Sequence, residues 1–87
     1  MSQENQIVLS LKEQYRAKNQ EKFASLVVEL CAAHHLFILD DHGDTFLVEL
    51  IDAESRTIES VIRELTKLYG AKMNIESNAL YGSADVL

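Results

Sequence analysis

Leu36-Phe37-Ile38-Leu39-Asp40-Asp41-His42-Gly43-Asp44-Thr45-Phe46-Leu47-Val48-Glu49-Leu50-Ile51 is the stretch on which the fold turns. Its first four residues form a short apolar run. Asp41-His42-Gly43-Asp44 reads as a turn, because short polar side chains bond their own backbone there and Gly43 is free to take positive φ. Residues 45–51 then alternate. Phe46, Val48 and Leu50 point to one side, and Leu47, Glu49 and Ile51 to the other, which is the two-residue period of a strand. The stretch is a β-hairpin with one face built for a core.

A helical pattern lies on each side of it. Over residues 56–69, Ile58, Val61, Ile62, Leu65, Leu68 and Tyr69 recur at three- and four-residue spacing, one stripe of a helix. Asp52 or Ser55 can cap its start, Lys67 suits its last turn, and Gly70 follows as a residue able to turn left-handed. Upstream, Phe23, Val27, Leu30, Cys31 and His34 form a second stripe, a helix from residue 20 or earlier to residue 34, with Asn19 as a candidate cap. Two weaker strands flank these elements. Ile7, Leu9 and Leu11 alternate over residues 7–11, and Met73 and Ile75 over residues 71–77.

The order strand, helix, strand, strand, helix, strand is a split βαβ pair. The expected fold is an α+β, ferredoxin-like βαββαβ two-layer sandwich: a four-stranded antiparallel sheet in the order 4-1-3-2 with two helices on one face. The alternative is αββαβ, with residues 7–11 absorbed into a longer first helix. Residues 1–87 form a single domain, and residues 78–87 read as a loosely ordered tail in which Leu80 and Tyr81 are placed to prolong the last strand.

Composition narrows the function. The 87 residues include one Cys and no Pro. A single Cys excludes an internal disulfide framework and points to a reducing, cytoplasmic setting. No apolar run approaches the ~18 residues of a membrane span, and the first residues are too polar for a signal peptide. A net charge of −6 argues against direct nucleic-acid binding. That charge is localised: residues 23–55 carry seven acids and no Lys or Arg, whereas residues 1–22 sum to +1 and residues 56–87 to zero. Such an acidic field steers a basic partner.

In a two-layer fold one sheet face meets the helices and the other is bare. With Phe46, Val48 and Leu50 turned inward, Leu47 and Ile51 lie on the bare face, joined by Val8 and alternate members of residues 36–39. Large aliphatics on an open sheet mark an interface. The expected partner-binding residues are therefore Asp40, Asp41, Asp44, Leu47, Glu49 and Ile51, and a homodimer or another protein is the expected occupant. The tail or a longer first helix covering this face is the alternative.

Catalytic and metal chemistry find little support. Cys31 and His34 share a helix face, but a zinc site needs three or four ligands, and only His42 or Asp40 is placed to add to them. His34 and His35 suit the helix C-terminus instead, and Cys31 suits a core. Asp40-Asp41-His42-Gly43-Asp44 lacks the ligand spacing of a calcium loop. No phosphate-binding glycine loop or nucleophile elbow occurs. No catalytic residue, cofactor or metal is expected.

Two families share features with this pattern. The order of elements resembles the ACT family of small-molecule regulatory domains, although the turn 13–18 has none of that family's glycine. Phe46-Leu47-Val48-Glu49-Leu50-Ile51-Asp52-Ala53-Glu54-Ser55, followed by a helix ending at Gly70 and a strand, is similar to the assembly chaperone of the periplasmic nitrate reductase (NapD type). That resemblance spans about half the chain and implies binding of a twin-arginine signal peptide, a basic ligand. The expectation is a non-enzymatic binding or regulatory, chaperone-like module for a protein or peptide partner. The alternative is an acidic inhibitor of the phage or mobile-element type, which mimics nucleic acid against a basic target.

Overall fold

A computed structural model describes residues 5–78, the side chains of residues 17–20 excepted. The elements are β1 (Gln6–Leu11), α1 (Arg16–His34), β2 (Leu36–Asp41), β3 (Thr45–Leu50), α2 (Ile58–Tyr69) and β4 (Met73–Ser77), with a 3-10 turn at Glu13–Tyr15 before α1. All strand pairings are antiparallel, in the order β2-β3-β1-β4. This is the ferredoxin-like α+β sandwich, and the expected strand order read from the other edge. Residues 6–11 pair with both β3 and β4, so the αββαβ alternative does not hold.

Alternation explains the central pair. Ile7, Leu9 and Leu11 of β1 and Phe46, Val48 and Leu50 of β3 are buried against the helices. Phe23, Val27, Leu30 and Cys31 of α1 and Val61 and Leu65 of α2 close this core from above, with Leu36 and Met73 at its margins. The rings of Phe23 and Phe46 meet edge to face at 5.6 Å, the arrangement that the ring quadrupoles favour. Burying nine large side chains completely supplies the main driving force of so small a domain.

Several boundaries differ from the sequence expectations. Asn19 lies inside α1 rather than capping it, since the 3-10 turn feeds the helix directly. α2 starts at Ile58, and its cap is Thr57, whose Oγ1 accepts from the Ser60 N–H at 3.2 Å. Asp52 and Ser55 instead close the preceding turn, where the Ser55 N–H and hydroxyl both donate to the Asp52 carbonyl. Leu68 is 56% exposed and not part of the core stripe.

The helix ends are also unexpected. Gly70 stays right-handed at φ −63°. It is needed for space, since a Cβ there would press into the Thr66 carbonyl oxygen. The left-handed residue is His35, at φ 56°, which caps α1 by donating its N–H to the Cys31 carbonyl. β4 begins at Met73 rather than residue 71, and the proposed tail lies outside the described residues from 79 onward.

Candidate functional site

The hairpin forms as its sequence dictates, with one added feature. Register runs Phe37↔Glu49 and Ile38↔Val48, then jumps to Asp40↔Leu47, so that Leu39 is an extra residue bulged from β2. The bulge extends β2 to Asp41 and brings Asp40 opposite Leu47. At the tip Gly43 takes φ 83° and its N–H donates to Asp41 Oδ1 at 2.8 Å. Asp40 Oδ2 lies 2.8 Å from His42 Nε2. Asp44 Oδ2 lies 3.7 Å from Arg16 Nε, which also donates to the Leu11 carbonyl.

The three hairpin acids therefore have different surroundings. Asp40 and Asp41 are exposed, and among the described residues neither pairs with a Lys or Arg. Asp44 is half-buried, and Arg16 offsets its charge. Arg16 was not foreseen, because nothing in its sequence spacing links it to residue 44.

The open sheet face follows from the registers. Asp40 stands opposite Leu47, Leu47 opposite Val8, and Val8 opposite Glu76. This row crosses all four strands, about 14 Å from Asp40 to Glu76 at the usual strand spacing. A second row holds Phe37, Glu49 and Gln6, and a third holds Thr45, Ser10 and Asn74. Phe37 is 57% exposed, and Leu47 and Val8 are partly exposed. Gln6 Nε2 reaches Glu49 Oε2 at 3.5 Å, while Gln6 Oε1 accepts from Asn78 Nδ2 at 2.8 Å, so an amide relay holds Glu49 in place. The four strands contain Asp40, Asp41, Glu49 and Glu76 and no Lys or Arg. Lys12 and Lys72 stand just beyond the ends of β1 and β4.

Five of the six expected binding residues thus belong to the open face or its hairpin. The sixth, Ile51, stands one residue beyond the end of β3, 66% exposed, its N–H donating to the His35 carbonyl in continuation of the β2–β3 register. Arg56 gathers the chain there. Its Nη2 donates to the same carbonyl at 3.1 Å and its Nε to Asp52 Oδ1 at 2.8 Å. The Arg56 hydrogen bond holds the Asp52 carboxyl below its usual pKa. Phe37 and Glu76 were missed as individual residues, although the alternation in 73–77 already sets Glu76 on the side away from Met73 and Ile75.

The residues weighed for metal or nucleophile chemistry are dispersed. Cys31 is buried, which pushes its thiol up to about 11 and keeps it protonated. The His34 ring lies edge-on to Tyr69, and His42 belongs to the hairpin tip. Among the described residues no group of three or more His, Cys, Asp or Glu side chains is arranged to hold a metal ion. No described helix is long and apolar enough to cross a membrane.

The class the fold defines is the ferredoxin-like α+β sandwich, with both helices on one face of the sheet. No protein-family model, curated protein or solved structure matches the chain.

Proposed function

We propose that this chain is a non-enzymatic binding module whose open sheet face takes a basic, partly apolar segment of a protein or peptide. The observation that carries the reading is the row Asp40, Leu47, Val8, Glu76, an apolar centre between two carboxylates on strands that carry no base. Apolar contact at Phe37, Leu47 and Val8 supplies affinity, while the acids set orientation and on-rate. A segment with paired arginines next to an apolar run, the chemistry of a twin-arginine signal peptide, has the complementary pattern. A nucleic-acid mimic needs carboxylates spaced without interruption along a face, whereas here Leu47 and Val8 separate them. A cytoplasmic location fits the unpaired Cys31.

The test is titration of a labelled synthetic peptide, Arg-Arg followed by a Leu-rich run, against the full chain. Leu47→Glu places a charge at the centre of the face and is expected to weaken binding at least tenfold, with the far-UV spectrum unchanged. Asp40→Lys combined with Asp41→Lys is expected to slow association more than it speeds dissociation. Undiminished binding by Leu47→Glu would remove this face from consideration.

A further inference from the structure

β4 is an edge strand, and its outward side is built to meet a copy of itself. The Lys12 N–H donates to the Lys72 carbonyl at 3.0 Å, which sets the phase of the ladder. Residues 72, 74 and 76 therefore turn their backbone groups toward β1, and Met73 and Ile75 turn theirs outward, since these alternate along a strand. β1 is the sole strand paired with β4 among the described residues, so the outward N–H and C=O groups of Met73 and Ile75 form an open ladder edge.

We propose that two copies of this chain pair antiparallel along β4, about a two-fold axis passing at Asn74. In that register Met73 meets the partner's Ile75 as a hydrogen-bonded pair, and Ile75 meets the partner's Met73, giving four backbone hydrogen bonds. Lys72 meets the partner's Glu76, and Glu76 the partner's Lys72. These are non-hydrogen-bonded pairs, where facing side chains come closest. Lys72 and Glu76 are both exposed, and neither has an ion-pair partner among the described residues. Moving the axis by one residue in either direction separates the opposite charges.

Two alternatives for self-association are weaker. Pairing through the open face sets Asp40, Glu49 and Glu76 near the same acids of the other copy. Pairing through β2 meets the Leu39 bulge and two adjacent aspartates. A two-fold contact along β4 is self-complementary and closed. It joins the two sheets into one of eight strands and leaves Asp40, Leu47 and Val8 of each open face free, with Glu76 at the seam turned to the partner's Lys72. A five-residue strand pair buries less than the ~800 Å² per partner of a standard interface, so a dissociation constant of roughly micromolar order is expected.

Sedimentation equilibrium of the full chain tests this. The wild type is expected to show a concentration-dependent monomer–dimer equilibrium. Lys72→Glu and Glu76→Lys, each creating two like-charge contacts, are expected to weaken it about tenfold or more at low salt. An equimolar mixture of these two variants restores both attractive pairs and is expected to regain dimer, as is the double exchange in one chain. A purely structural effect on either monomer is not repaired by mixing. A wild type that stays monomeric at ~1 mM, or variants that stay apart when mixed while the wild type dimerises, would overturn the proposal.

Discussion

His35 shows how much one residue's backbone can decide. It holds the left-handed conformation that ends α1, and its carbonyl then serves both the Ile51 N–H and Arg56 Nη2. A side chain in that conformation costs ~1–2 kcal/mol, which Gly avoids at the expense of greater unfolded-state entropy. His35→Gly keeps the carbonyl in place and is expected to raise stability by about 0.5–1 kcal/mol in urea denaturation. Asp52 acts in the same knot. Its carboxyl is held below the usual value, so its contribution to stability is complete above the unfolded pKa of ~3.9 and is lost as the pH falls through the folded value. Asp52→Asn is therefore expected to flatten the fall in stability below about pH 4, as followed by acid unfolding. Neither role was legible beforehand. The left-handed cap was expected at Gly70 on propensity, but that glycine ends α2 right-handed, and the left-handed cap stands instead at His35, where α1 reverses into β2.

At the scale of elements, strong periodicity was readable and boundaries were not. The stripe Ile58, Val61, Ile62, Leu65, Tyr69 located α2, and the alternation of Phe46, Val48 and Leu50 located β3 with its buried side. The start of α2 was misplaced because Asp52, Ser55 and Thr57 are all acceptable caps by residue type. Geometry selects Thr57, whose hydroxyl reaches Ser60, while Asp52 is held by Arg56. Thr57→Ala is accordingly expected to lower stability by ~1 kcal/mol in thermal or urea unfolding. Ser55→Ala is expected to change it by less than ~0.5 kcal/mol, as for an exposed residue outside a cap. The bulge at Leu39 had no sequence marker. It is a consequence of fitting Leu36 and Ile38 to the core while the turn requires Asp41 and Gly43 at its tip.

For the whole molecule, the distribution of charge was the informative feature of the sequence, and the structure gives it direction. The four acids within the strands line the face away from the helices and its hairpin end, while the helices carry mixed charge. Long-range attraction between such a face and a basic partner is screened within a Debye length, ~10 Å at 0.1 M salt and ~3 Å at 1 M. The association rate of the arginine-bearing peptide is thus expected to fall steeply between low and high salt while dissociation changes little, as read by stopped-flow fluorescence. A rate insensitive to salt would leave apolar contact alone to explain capture. The face itself was legible as soon as β3 was recognised. Its full extent was not, since membership of Val8 and Glu76 depends on register across non-neighbouring segments, which local sequence does not encode.

The extra residue at Leu39 also governs the failure modes of this chain. A sheet with two regular edges can accept strands on both sides and grow into a fibre. Here β2 is kinked and carries two adjacent aspartates, so among the described residues β4 alone offers a straight ladder, and the two-fold contact proposed there leaves no second one to extend. If β4 pairs as proposed, deleting Leu39 to remove the kink is expected to add a second straight edge and turn a self-limiting pair into a polymer, as read by light scattering.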